Sequence, residues 1–259
     1  MKLKDLLSEI KEVQTKIGAS EPYICGGMPR DKYMNNLENV SDLDITTGDK
    51  TVDYLSLELY KKLSTKYNII RKVMSDGHSA IHMGKFKVDF SSNFNAPNIE
   101  QILQQKGISK PTSMQKELFS RDFTCNSLLM PLDLSKILDL TQQGLIDIQN
   151  KKIKTCLLPE QTLLAAKDRS FIRIIRSIYL ACKLDFEIDE EIIKFVQTNI
   201  ANITTLVTPN ISKKINDAFT KNPEKASLYL TKMGLWNYIP ITEIIYPYYI
   251  KHIRGGVNV

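Results

Sequence analysis

The sequence predicts an α+β domain built on a small mixed sheet, followed by an all-helical region. Three observations carry that prediction: strand signals crowd into residues 22–90, the pattern beyond Gln115 turns mostly helical, and charge is divided along the chain. Its 259 residues, 42% apolar and 25% charged, suffice for two small domains and exclude a disordered chain, a collagen-like repeat or a disulfide scaffold. Residues 1–150 carry 19 basic and 19 acidic side chains, whereas the remainder carries 16 and 10, so the net charge of +6 lies wholly in the last 109 residues. A positive lobe beside a neutral one points to a polyanion, with nucleic acid first, and equally describes a lysine-rich solvated surface.

The elements follow in order. Leu3, Leu6, Leu7, Ile10, Val13 and Ile17 recur at helical spacing, which marks an amphipathic helix rather than a signal peptide. Pro22 to Cys25 reads as a short buried strand stopped by Gly26-Gly27, and Leu43 to Thr46 as a second ended by Thr47-Gly48-Asp49. A helix is expected from about Val52 to Leu63, then strands at Ile69–Val73 and Ser79–Phe90, the latter folded into a hairpin at Gly84. Alternation of Phe86, Val88 and Phe90 with Lys85, Lys87 and Asp89 turns Asp89 away from the core. The longest helix is expected over about Gln161 to Leu184. Cys25, Cys125, Cys156 and Cys182 are too scattered for a zinc site, and reduced thiols in a cytoplasmic protein are expected. No run is long and apolar enough to span a membrane.

Two features carry chemistry. Gly26-Gly27-Met28-Pro29-Arg30-Asp31 sits between a strand and a helix, where glycines let the backbone approach a ligand, free N–H groups attract phosphate and Arg30 adds a forked cation. A plain tight turn is the commoner use of such a pair. In Ser41-Asp42-Leu43-Asp44-Ile45 the strand period puts both carboxylates on one face, where they repel unless a hard cation such as Mg²⁺ lies between them; a solvated strand edge is the alternative for an isolated pair. With Asp89 on the same face, three carboxylates can serve two metal ions in a phosphoryl displacement.

Tyr23-Ile-Cys-Gly-Gly-Met-Pro-Arg-Asp31, Ser41-Asp-Leu-Asp-Ile-Thr-Thr47 and Leu118-Phe-Ser-Arg-Asp-Phe-Thr-Cys-Asn-Ser-Leu128, in this order and spacing, resemble the class II (bacterial-type) tRNA nucleotidyltransferase and poly(A) polymerase family. The resemblance runs on through Asp139, Gly144, Asp147, Lys152-Ile-Lys-Thr155, Arg173-Ile-Ile-Arg176 and Leu184 to Asp189, covering roughly residues 20–240. It implies a nucleotidyltransferase head over residues 1–140 and a helical neck, which binds the nucleotide base and RNA, over residues 141–259. It assigns Asp42 and Asp44 to two Mg²⁺ ions, Asp89 to the third acidic position, and Gly26, Gly27 and Arg30 to the triphosphate. Arg121 and Asp122 fall on a ribose-recognising Arg-Asp, and Asn126 on the same motif. Arg173 and Arg176 fall on nucleotide-contacting positions of the neck.

Two departures stand out. The family's arginine before Arg121 is Ser120, and the acidic residue that serves as a template for the incoming base is Ser170. Adenine and cytosine each present an amino donor beside a ring-nitrogen acceptor, so an Asp and an Arg can read both. A serine hydroxyl donates or accepts, which weakens rejection of guanine and uracil unless another group, such as Asp168, compensates. The resemblance implies a template-independent enzyme that adds CMP and AMP from CTP and ATP to RNA 3′ ends, with CCA addition to tRNA favoured over poly(A) or relaxed tailing. An inactive RNA-binding homologue, or transfer to a non-RNA acceptor, is the other reading. The relatives carry further helical regions, so the RNA grip is expected to come from the compact basic neck, which the charge excess fits, from a homodimer or accessory subunit, or else the substrate is smaller than a whole tRNA; Tyr246 to Arg254, aromatic and basic, is a further candidate RNA surface and equally a helical core.

Overall fold

The computed structural model describes residues 1–37, 40–74, 78–164, 170–203 and 207–239. The protein divides into two compact units, Met1–Ile146 and Asp147–Val259. The first is a mixed α+β unit with a six-stranded sheet. Its strands are β1 (Tyr23–Cys25), β2 (Asp42–Thr46), β3 (Ile69–Val73), β4 (Ser79–Met83), β5 (Phe86–Phe90) and β6 (Leu129–Pro131), in the spatial order β3-β4-β5-β2-β1-β6. The centre is a parallel pairing of β2 with β5, and the other pairings are antiparallel.

Alternation gives this sheet two unlike faces. Leu43 and Ile45 of β2 and Val88 and Phe90 of β5 are fully buried in a cluster with Leu6, Leu7, Ile10 and Val13 of α1 (Leu3–Ile17) and Leu55, Leu59 and Leu63 of α3 (Thr51–Ser64). Each such side chain contributes about 1.5–3 kcal/mol on burial, which fixes the strand register, since a one-residue slip would send all of them to water. The helix read at the N-terminus and the hairpin at Gly84 stand where their periodicity predicts. A smaller cluster, Cys25, Leu118 and Leu129, marks the opposite face, where α5 (Ser113–Phe119) packs. Thr112 caps α5, its Oγ1 accepting from the Gln115 N–H at 3.1 Å while Gln115 Oε1 accepts from the Thr112 N–H at 2.9 Å.

The first unit extends past the 140/141 boundary read from the sequence. Asp139 Oδ1 accepts from the Thr141 N–H at 3.1 Å and Oδ2 from the Leu145 N–H at 2.9 Å. Gly144 lies so close to the Thr124 carbonyl that an added Cβ would stand 2.6 Å from it. These contacts hold the chain as far as Ile146.

Among its described residues the second unit is helical apart from one short parallel pair, β7 (Lys152–Ile153) with β8 (Glu187–Ile188). Its helices include α7 (Pro159–Leu163), α8 (Ser170–Leu184), α9 (Glu190–Asn199), α10 (Pro209–Lys221) and α11 (Pro223–Lys232). Of the helix expected over about 161–184, α8 supplies Ser170–Leu184, whereas α7 ends at Leu163 and residues 165–169 lie outside the described residues; the Thr162 carbonyl accepts from Arg173 Nη1 at 2.8 Å. Asp189 and Asn222 cap α9 and α11 by accepting from the Glu191 and Lys225 N–H groups, each at 3.0 Å. Among the described residues no helix is long and apolar enough to cross a membrane.

Candidate active site

On the sheet face opposite α1 and α3, Asp42 is exposed and Asp44 half-buried. Their neighbours across the parallel pairing are Lys87 and Asp89, register partners of Asp42 and Asp44 respectively. One square of side chains thus holds three carboxylates and one ammonium, and Lys87 Nζ is paired with Asp89 Oδ2. On its other side Asp44 is the register partner of Cys25. Burial pushes the Cys25 thiol up, with Arg121 opposing the shift, so Cys25 is a neutral neighbour rather than a nucleophile.

β1 runs into Gly26, whose φ of +75° is a left-handed conformation that glycine adopts without strain. An added Cβ there would stand 2.2 Å from Asp44 Oδ2. The glycine is therefore required twice, by the turn and by the carboxylate lying over it. Gly27 opens α2 (Gly27–Tyr33), and a Cβ on it would stand 3.1 Å from Arg30 Nη2. Arg30 is buried: its Nε donates to Asp31 Oδ1 at 2.8 Å and its Nη1 donates to Asn126 Oδ1. The first and third sequence motifs, distant in the chain, are thus joined beneath the glycine turn.

Arg121 follows α5, and its Nη2 donates to Cys25 Sγ at 2.8 Å and to Glu117 Oε1 at 2.9 Å. Burial opposes its charge, but the carboxylates of Glu117 and Asp44 favour it, and the guanidinium stays charged. The Phe123 N–H donates to Asp122 Oδ1 at 3.0 Å, which turns the chain into the 3-10 segment Thr124–Asn126. The first unit therefore brings together Asp42, Asp44, Asp89, Gly26, Gly27, Arg30, Arg121 and Asn126, with Asp122 next to Arg121 in the chain and bonded to the Phe123 N–H. Sequence reasoning missed Lys87 and Glu117; the available signals were Lys87 two residues before Asp89 in a strand, and Glu117 four before Arg121 in a helix.

Arg173 and Arg176 belong to the second unit. Arg173 donates to the Thr162 carbonyl, and Ser170 is buried at the start of α8. Near Arg176, Lys214 Nζ lies 4.0 Å from the Tyr179 ring centroid; burial foremost, then the charge of Arg176, pull the Lys214 pKa down. Asp168 and the residues Tyr246 to Arg254 lie outside the described residues.

Carboxylate oxygens on one strand face are the hard donors that Mg²⁺ takes, so Asp42 and Asp44 fit that ion. Among the described residues no group of three or more His, Cys, Asp or Glu side chains is gathered to hold a metal, in keeping with Asp89 being engaged by Lys87.

The first unit is thus a mixed-sheet head with paired carboxylates beside a glycine turn, and comparison with known proteins shows its family. The chain belongs to the poly A polymerase head domain family, which matches residues 22–154. It is 24% identical over 244 residues to the CCA-adding enzyme of Staphylococcus aureus (strain MRSA252), covering 93% of this chain and 57% of that protein. It is 26% identical over 208 residues to a tRNA nucleotidyltransferase of Schizosaccharomyces pombe, covering 75% of this chain and 42% of that protein. Among solved structures, a CCA-adding enzyme with CTP shares the fold at a TM-score of 0.66 and 18% identity, over 90% of this chain and 52% of that one. The Thermotoga maritima CCA-adding enzyme complexed with tRNA does so at 0.65 and 16%, over 90% and 51%. The chain spans about half the length of these relatives.

Proposed function

We propose that the protein is a template-independent RNA 3′-terminal nucleotidyltransferase that adds CMP and AMP from CTP and ATP, with CCA addition to tRNA as its reaction. The observation that carries this reading is the Asp42–Asp44 pair on one strand face, with Asp89 in register beside Asp44 and Gly26 directly beneath its carboxylate. The related CCA-adding enzymes of known structure, with CTP, ATP or tRNA bound, support the substrates.

Asp42 and Asp44 would hold the two Mg²⁺ ions, and Asp89, paired with Lys87, is the third carboxylate of that face. When bound, the ions supply activation of the RNA 3′-hydroxyl and neutralisation of the triphosphate. Gly26 and Gly27 let the triphosphate approach the backbone, and Arg30 adds positive charge from beneath the turn. Arg121 and Asp122 hold the ribose, and Asn126 keeps Arg30 in place. In the neck, Arg173 and Arg176 address the base. No nucleophilic side chain is needed, because catalysis here is positioning and charge neutralisation.

Ser170 at the template position predicts weaker rejection of GTP and UTP than an aspartate would give. The test supplies labelled NTPs one at a time to RNA ending before CCA, RNA ending in CC, and an oligo(A) primer. CMP on the first and AMP on the second are expected. Extension of oligo(A) alone would replace CCA addition by poly(A) synthesis, and transfer to none of the three would refute the RNA acceptor.

A further inference from the structure

Glu117 is a fully buried carboxylate that the reaction as described does not use. It sits in α5, one turn before Arg121, and both of its oxygens are engaged. Oε1 accepts from Arg121 Nη2 at 2.9 Å and from Asn93 Nδ2 at 3.4 Å, while Oε2 accepts from the Asn93 backbone N–H. Asn93 lies in the segment leaving β5 just beyond Asp89. Arg121 in turn reaches Cys25, the register partner of Asp44. One carboxylate therefore ties α5 to the segment after the third acidic residue and, through Arg121, to the strand beside the second.

The guanidinium is oriented by these bonds without being saturated. Arg121 Nε is buried and has no hydrogen-bond partner. A buried donor without an acceptor is costly, and the two bonds made by Nη2 set the orientation of the guanidinium rather than merely neutralising it. We propose that Glu117 is a positioning residue that fixes the Arg121 guanidinium for the incoming nucleotide and couples its orientation to the segment following Asp89. This rests on the nucleotide role proposed above for Arg121.

Glu117→Gln is nearly isosteric yet has a single acceptor oxygen, so its amino group must face either Arg121 or the Asn93 N–H, both donors. The wild type, Glu117→Gln, Arg121→Met and the double variant are compared by NTP KM, kcat and thermal midpoint on an RNA primer. We expect Glu117→Gln to raise NTP KM about tenfold, as loss of one charge-assisted hydrogen bond does, and the double variant to bind no worse than Arg121→Met. Asn93→Ala, which releases one hold on the same carboxylate, is expected to raise KM by about threefold, on the order of one weak hydrogen bond, and provides a second reading should Glu117→Gln fail to fold. Unchanged KM in Glu117→Gln and Asn93→Ala, with only the thermal midpoint lowered, or additive losses in the double variant, would overturn the positioning role. If Arg121→Met itself leaves KM unchanged, the nucleotide role of Arg121 falls and the inference with it; if Arg121→Met raises KM and Glu117→Gln does not, the inference alone falls.

Discussion

At the scale of residues, the carboxylate face was legible because strand alternation is strict: burying Leu43, Ile45, Val88 and Phe90 leaves Asp42, Asp44 and Asp89 no other side. The glycine pair was legible as a turn, but not that Gly26 is held open by the Asp44 carboxylate itself. Because the atom that a Cβ would strike is a side-chain end, Gly26→Ala is expected to move Asp44 rather than to unfold the unit. The expected stability loss is about 1–3 kcal/mol from the positive φ, measured by denaturant unfolding, with nucleotide incorporation falling by at least tenfold. Arg30 shows where sequence reasoning ends. Its partner Asn126 lies 96 positions away, and nothing local in either motif announces that they meet. Glu117 was legible only in its spacing to Arg121, which by itself describes any helical ion pair.

Elements with a strong period were read correctly in kind and nearly in extent, as α1, α3 and the β4–β5 hairpin show. Shorter ones were not. The three residues of β6 carry no pattern of their own and become a strand because β1 offers an unpaired edge. The helix expected over 161–184 is present from Ser170 to Leu184, and α7 stops at Leu163, a boundary that apolar periodicity does not register. α3 provides an element-scale prediction. Asp49 accepts from the Thr51 N–H and the Thr47 Oγ1, each at 2.9 Å, from the Thr51 Oγ1 at 2.6 Å, and from the Ser20 hydroxyl. Burial works against its charge, but these hydrogen bonds outweigh it and hold its pKa below the ordinary carboxylate range. A lowered folded-state pKa means stability that is full above the unfolded value of about 3.9 and is lost as pH falls through the folded one. Asp49→Ala is therefore expected to cost about 1–2 kcal/mol near neutrality, with the gap to wild type closing below pH ~4 in urea melts followed across pH.

For the whole molecule, the order of strands before helices gave the two-part architecture, and the neutral and basic halves follow the same division. The compact units divide at Ile146/Asp147, six residues past the domain boundary read from the sequence, and the bonds of Asp139 and the close approach of Gly144 to Thr124 tie residues 141–145 to the first unit. The family was legible from three short motifs because each forms a different part of one face: a turn under a carboxylate, the carboxylates themselves, and a partly buried arginine, Arg121, beside them. In the function proposed above, that convergence does the chemistry. Its most direct test is incorporation of labelled AMP and CMP, with Mg²⁺ present, by the wild type and by Asp42→Ala/Asp44→Ala at matched thermal midpoints. Both side chains lie off the core, so the double variant is expected to fold and to lose incorporation by at least about a thousandfold, as removal of the charge-stabilising groups of a phosphoryl transfer does. Undiminished incorporation by the double variant would contradict the account.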